Sequence, residues 1–137
     1  MAGLTNYLED KIWNHVFGST TFTKPTNYYV GLLTATPSDS AAGTEVSGGS
    51  YARQICTFTV TGGGVCLATN SSSITYPTCT ADWGIIGWVG IYDAVSSGNL
   101  VAFQSLQKSD YSTSTTKTLN DGDIFKFNSG SIKITLD

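Results

Sequence analysis

From residue 27 to the C-terminus the sequence breaks into short β-prone runs separated by turns rich in glycine, proline, asparagine and aspartate, with no helical run between them. This punctuation constrains the fold more than any other feature. A parallel sheet needs crossovers of about a dozen residues or more, usually helical. Without them, strands must pair antiparallel with near neighbours. The predicted strands lie at 27–35, between Pro25 and Pro37, and at 51–59, 65–68, 71–77, 84–92, 100–106, 124–128 and 131–136. The most β-prone run is 84–92, Gly-Ile-Ile-Gly-Trp-Val-Gly-Ile-Tyr, with a turn at 93–98 and a hairpin partner at 100–106. Gly62-Gly63-Gly64 and Asn120-Asp121-Gly122-Asp123 read as turns. At the end of the chain Ile132, Ile134 and Leu136 alternate with Lys133 and Thr135, as in a half-buried strand. The expectation is a mainly β fold: an antiparallel β-sandwich or jelly-roll-like barrel of about eight strands.

One segment breaks this pattern. Over residues 4–16, Leu4, Leu8, Ile12 and Val16 recur at four-residue steps, which predicts one N-terminal α-helix. Thr5 or Gly3 is placed to cap its start, Glu9 and Asp10 lie near its positive end, and Gly18 is a natural stop. Tyr7 and Trp13 widen the apolar face, which must pack on its own sheet or on another chain. The reading divides the chain into a helical arm at 1–18 and a β-sandwich domain at 19–137. Residues 19–26 form the linker. Residues 36–50, rich in Pro, Ser, Ala and Gly, read as a long exposed loop, which at that length is functional or mobile.

Composition excludes several classes. Charged residues are 12% of the 137, against about 25% in an average soluble domain, while 40% are hydrophobic. The chain therefore has the material for a core, and its polar skin is largely Ser and Thr. Such a skin fits either an ordinary polar surface or one covered by neighbours in an assembly. The longest nearly apolar run, 85–92, is far short of the roughly 20 residues of a spanning helix, so no membrane partner is expected. The net charge is −3 with no basic stripe, which removes the electrostatic basis for nucleic-acid binding. Residues 2–10 lack the basic and apolar regions of a secretory signal, which predicts a product made and kept in the cytoplasm. Cys56, Cys66 and Cys79 fit neither a disulfide framework nor a zinc site and read as small hydrophobes.

The inventory for catalysis is thin, and no enzyme activity is expected. His15, the one histidine, lies on the helix, and no Gly-x-Ser-x-Gly elbow is present. The glycine runs lack the helix and Lys-Ser/Thr of a phosphate loop. Asp121 and Asp123 flank a glycine but have no further acid near them in sequence for calcium. Asn70-Ser71-Ser72 matches a glycosylation sequon, a common accident. No catalytic residue, cofactor site or metal site is assigned. Among the aromatics, Trp88 shares the parity of Ile86 and Tyr92 and reads as core, whereas Trp83 falls in a turn and reads as an interface residue; Tyr111 is a further loop aromatic. The interface candidates are Leu4, Leu8, Ile12, Trp13, Val16 and Trp83.

Several motifs form a set. They are Met-Ala-Gly-Leu-Thr-Asn-Tyr-Leu-Glu-Asp-Lys-Ile at 1–12 with His15 and Phe17-Gly18, and Tyr29-Val30-Gly31-Leu32 with Thr34, Thr36 and Pro37. Glu45-Val46-Ser47-Gly48-Gly49 leads into Tyr51-Ala52-Arg53, and Trp83-Gly84 follows. Gly90-Ile91-Tyr92-Asp93-Ala94, Gly98-Asn99-Leu100, Gly122-Asp123 and the closing Ile132-Lys133-Ile134-Thr135-Leu136-Asp137 complete it. As a set spanning nearly the whole chain, these resemble a family of small tailed-bacteriophage virion proteins. The sequence departs from the commoner pattern at Trp13, where a small or acidic residue is more usual, and in its cysteines. Members are often labelled tail fibre proteins, yet their size and lack of a repetitive shaft are more similar to capsid decoration, or cement, proteins. The resemblance implies a structural protein of the virion that binds the major capsid protein or other virion proteins, as a homo-oligomer and by preference a trimer. It implies no catalytic residues. The expectation is a decoration protein that stabilises the assembled head; the alternative is a tail fibre or tail-tip component that binds a host receptor.

Overall fold

The computed structural model describes residues 3–64, 66–110 and 112–135. It is mainly β, antiparallel throughout and without a closed barrel, which selects the sandwich of the two expected architectures. The larger sheet is built around β2 (Tyr28–Ala35). On one side β2 pairs with β9 (Trp88–Tyr92), which pairs with β10 (Leu100–Ser105), which pairs with the short edge strand β1 (Gly3–Leu4). On its other side β2 holds β4 (Gln54–Cys56) at its start and β3 (Thr44–Glu45) at its end. The second layer comprises β5 (Phe58–Thr61), β6 (Leu67–Asn70) and β13 (Lys133–Thr135), with the pairs β7 (Ile74–Thr75)–β12 (Lys126–Phe127) and β8 (Gly84–Ile86)–β11 (Lys117–Leu119).

The expected hairpin at 84–106 is present, with Tyr92 opposite Leu100 and Trp88 opposite Ser105, and a register shift between Leu100 and Ala102. Two predicted strands, however, are each two strands in different layers. The 51–59 run divides at Thr57, so that β4 belongs to the large sheet and β5 to the small one. The 84–92 run divides at Gly87, whose N–H donates to the Leu33 carbonyl and whose carbonyl accepts from Leu106 N–H. Before it β8 pairs with β11; after it β9 enters the large sheet. A strand that bends from one layer to the other in this way makes a corner of the sandwich.

The core lies between the layers. Val30, Leu32, Val89, Ile91 and Ala102 from the large sheet meet Cys56, Ile74, Tyr76, Ile86 and Leu119. Buried polar groups are satisfied: the Tyr76 hydroxyl donates to the Val30 carbonyl at 2.8 Å. Buried Asn70 donates to the carbonyls of Ser72 and Asn128 and accepts from Ile132 N–H, all at 2.8 Å. The sequon asparagine is thus a staple between β6 and the 128–132 segment, with its amide fully engaged.

Four expectations are corrected. The helix α1 spans Asn6–Val16, because Leu4 is taken into β1 opposite Ala102. Thr5 occupies the N-cap position but does not cap; its hydroxyl donates instead to the Leu100 and Val101 carbonyls. The 36–50 segment is not simply an exposed loop, since it carries β3 and buries Val46, whose N–H bonds to the Leu32 carbonyl. Trp83, expected on an exposed turn, is a core residue at 5% exposure. Its indole Nε1 donates to the Gly49 carbonyl at 2.8 Å, and its ring meets Tyr51 edge-on at 5.2 Å, so both its polar and its apolar requirements are met inside. The predicted strand contributions of Val65 and Leu136, and the loop aromatic Tyr111, lie outside the described residues.

Candidate functional site

Two features stand out: a buried ionic brace on the outer face of the large sheet, and the far end of α1. The brace begins with two glycines. Gly31 and Gly90 are paired across β2 and β9, and their missing side chains leave room above the strands. A Cβ on Gly31 would lie 2.8 Å from both Glu45 Oε1 and Tyr92 Cε2, and one on Gly90 would lie 2.8 Å from Leu100 Cδ1 and Tyr92 Cε2. Glu45, Tyr51, Tyr92 and Leu100 fill this space, and Arg53 ties Glu45 to the Tyr92 ring. Its guanidinium forms a two-pronged pair with Glu45, Nε to Oε1 at 2.8 Å and Nη2 to Oε2 at 2.7 Å. Nη1 donates to the carbonyls of Ala94 (2.9 Å) and Ser97 (2.6 Å), and the guanidinium carbon sits 3.4 Å from the Tyr92 ring centroid. Tyr51 completes the group: its hydroxyl donates to Glu45 Oε1 at 2.7 Å and accepts from Leu32 N–H at 2.9 Å. Burial pushes the Tyr92 phenol up to about 12, and that of Tyr51 higher still. The 93–99 turn that presents the two carbonyls is tied by Asp93, which accepts from Asn99 N–H at 2.6 Å and Asn99 Nδ2 at 2.8 Å. With its side chain 8% exposed and its donors engaged, Arg53 joins β3, β4, β9 and the 93–99 turn; it is not open to an external anion.

Among the described residues no group of three His, Cys, Asp or Glu side chains is arranged to hold a metal. The structure does bring Asp82 to the 120–123 turn, a proximity the sequence reading missed. There Asp82 Oδ1 accepts from Asp121 N–H and Asp123 Oδ2 from Asn120 N–H, so these carboxylates cap the turn. Cys56 and Cys79 are buried, and burial pushes the Cys56 thiol up to about 12; Cys66 is exposed.

The sequence-derived interface residues fall into three environments. Leu4 packs against the core from β1, and Leu8 and Ile12 are half-buried beneath α1. Trp83 is internal. Trp13 and Val16 remain 62% and 59% exposed. Phe17, which the sequence reading passed over, is 75% exposed and lies against Trp13 with ring centroids 4.8 Å apart. The i, i+4 spacing of these two aromatics was the available signal. After the helix the chain turns back, and Phe22 N–H donates to His15 Nδ1 at 3.2 Å. The described residues thus form a braced sandwich that presents an apolar helix end.

The profile of a family described as Podophage GP4 fiber I protein gp80 matches residues 3–135. The chain belongs to this family. It is a structural protein of the virion of a tailed phage. No curated protein matches the chain. The central motifs of the family resemblance, between residues 29 and 100, are largely those that build the brace. Gly31 and Gly90 open the space, Glu45, Tyr51 and Tyr92 fill it, Arg53 pairs with Glu45 over the Tyr92 ring, and Asp93 and Asn99 hold the turn that closes it. For this fibre I family member, then, the central motifs report the scaffold, while the N-terminal motif runs through the helix whose end is left uncovered.

Proposed function

We propose that the chain is a non-catalytic fibre subunit held on the virion through the end of its N-terminal helix. The observation that carries this reading is the exposure of Trp13, Val16 and Phe17 together on a protein whose other described aromatics are buried or half-buried. An aromatic side chain has roughly 150–250 Å² to bury, so Trp13 and Phe17 leave on the order of 250 Å² of apolar surface in water. Covering it contributes about 6 kcal/mol before the cost of association. The family description supports a fibre, and a virion neighbour is the natural partner.

Capsid decoration is the second reading, supported by one observation: the described residues form a two-layer sandwich with no repeating shaft. In that role the protein would stabilise the head because it binds only the assembled shell. The trimer implied by the resemblance belongs with this proposal. One experiment addresses both. Phage are assembled with wild-type protein or with Trp13→Ser/Phe17→Ser, and the particles are imaged by electron cryomicroscopy. Density at the tail supports the fibre reading, and density on the shell supports decoration. Loss of the density in the variant supports docking through the helix end; full occupancy refutes it.

A further inference from the structure

At the open end of the sandwich, β9 and β10 of the large sheet part from β12 and β13 of the second layer and leave a cleft of about 230 Å³. Most of its wall is apolar: the core residues Val89, Ile91 and Leu106, with half-buried Phe103, Phe127, Ile132 and Ile134. Around these lie the amides of Gln104, Gln107 and Asn128 and the ammonium of Lys108, and no acid is among the described residues that line it. A cavity of about 150 Å³ accommodates a benzene ring, so this one admits an indole or a phenyl ring and little more. The chain carries a projection of that kind on α1. At about 100° per residue, Trp13 and Phe17 fall between Glu9 and Asp10 around the helix, and Lys11 falls on the opposite side. All four of these residues are exposed. At the same end, the last carbonyls of the helix lack intrahelical partners and carry its negative pole.

We infer that the cleft receives the helix end of a second copy of this chain, with the Trp13 ring, backed by Phe17, between the apolar walls. The match covers each chemistry present. Lys108 meets the acids that bracket the aromatic pair, and the amides donate to the helix-end carbonyls. A fatty chain would suit the walls and leave the amides and the ammonium unanswered, and a sugar would suit the amides and leave the apolar walls wet. A chain does not fill its own cleft: Thr5 sets the start of α1 at the Leu100 end of β10, the cleft opens from Phe103 onward, and no residue of α1 lines it. The contact joins two different surfaces, so each copy gives its helix to one neighbour and takes that of another, and such contacts close into rings or run on as filaments. One contact buries roughly 500 Å² in all, under the roughly 1,200 Å² of a stable pair. Two free chains should therefore bind with a Kd on the order of 0.1–1 mM, and a closed ring should hold more firmly. The inference rests on the reading that the helix end is a contact surface, and it names the neighbour.

The two halves of the contact can be separated. The full chain carrying Trp13→Ser/Phe17→Ser, labelled with ¹⁵N, keeps the cleft and lacks the projection. It is titrated with the unlabelled Ser109→Glu/Asn128→Glu chain, which keeps the projection and sets acids on its own cleft rim. All four positions are exposed, so both chains should keep the dispersed spectrum of the folded protein. Saturable shifts are expected at the amides of Phe103, Gln104, Leu106 and Asn128, and none when the unlabelled partner is Trp13→Ser/Phe17→Ser. Lys108→Glu in the labelled chain is expected to weaken binding about fivefold, the scale of an exposed ion pair, and Glu9→Lys/Asp10→Lys in the partner to restore it. The inference is overturned if the cleft amides do not shift, if they shift equally with a partner that lacks the projection, or if the charge reversal is not restored by its counterpart. Shifts at these amides with sodium octanoate but not with the partner chain would make the cleft a lipid site and also overturn it. Self-association of the wild-type chain confined to residues 13–17 would overturn it too, because the helix ends would then meet each other. Occupancy on the particle is a separate measurement: if Trp13→Ser/Phe17→Ser is lost from the particle while free chains do not bind, the helix docks on another virion protein and only the present inference falls.

Discussion

Arg53→Ala removes one side chain and unties four parts of the protein. The substitution breaks the two-pronged pair with Glu45 and strips the ring of Tyr92 of its cation. It also frees the Ala94 and Ser97 carbonyls. Breaking one partner of a buried ion pair costs about 3–5 kcal/mol, because the remaining charge is left uncompensated. Glu45 is 23% exposed and regains some water, which places its share at the low end of that range. The lost cation–π contact adds about 1 kcal/mol. The carbonyls border solvent and add little. Since the contacts share one group they do not sum, and the expected total is about 3–4 kcal/mol. Against a typical domain stability of about 5–15 kcal/mol, this lowers Tm by roughly 10 °C. Urea unfolding followed by tryptophan fluorescence measures the loss directly, and Arg53→Lys should recover part of it because charge is retained without the fork. A loss below about 1 kcal/mol for Arg53→Ala, or a Glu45→Gln/Arg53→Ala cycle with no coupling, would refute the brace as a source of stability.

Three further outcomes follow from the same geometry. Gly31→Ala should cost about 1–3 kcal/mol, since the new methyl meets Glu45 and Tyr92 at 2.8 Å; an unchanged urea midpoint would show that the brace yields freely. Burial raises the Asp93 carboxyl, but hydrogen bonds from Asn99 and Tyr7 outweigh it and hold the group below its ordinary value, and the turn bonds of Asp110 hold that carboxyl down to about 2. Their contribution is complete above the unfolded value of about 3.9 and is lost as pH falls through the lower folded values. The urea midpoint should therefore drop below about pH 4, and less so in Asp93→Asn; an identical drop in the variant would remove Asp93 from the explanation. A maleimide should label Cys66 in the native chain and reach Cys56 and Cys79 only after denaturation, as mass spectrometry of digests would show; rapid native labelling at Cys56 would contradict its burial.

The β class, the antiparallel pairing, the single helix and the 84–106 hairpin were all legible in the sequence, because alternation and turn residues are local signals. The corners at Thr57 and Gly87 were not. A run such as Gly-Ile-Ile-Gly-Trp-Val-Gly-Ile-Tyr has one continuous β preference, and nothing local says that its halves pair in different layers. Trp83 was misread for a related reason: a turn is usually exposed, and only the tertiary approach of Gly49 supplies its acceptor. The brace was visible as a motif set but not as a site, because the Glu45–Arg53 pair draws its remaining partners from Tyr92 and the 93–99 turn, some forty residues on. At the helix, the four-residue spacing grouped Val16 with Leu8 and Ile12, yet Leu8 and Ile12 are half-buried and Val16 is exposed.

A subunit tethered by the end of α1 takes mechanical load along two paths. One is covalent: residues 17–27 run from the helix end into β2 at the middle of the large sheet. The other passes back through α1 and the two residues of β1 into β10, then across β9 to β2. Only the second can open while the sheet stays whole, since two paired residues, Thr5 and the Asn6 N–H bond to the Asp39 carbonyl hold it. Such opening under force is governed by its rate, not by the equilibrium stability of the whole. How readily the helix swings out on its linker under a tug and how hot the sandwich can become are therefore separate properties. The first is set at the rim by Leu4, Thr5 and Asn6, and the second by the core and the Arg53 brace.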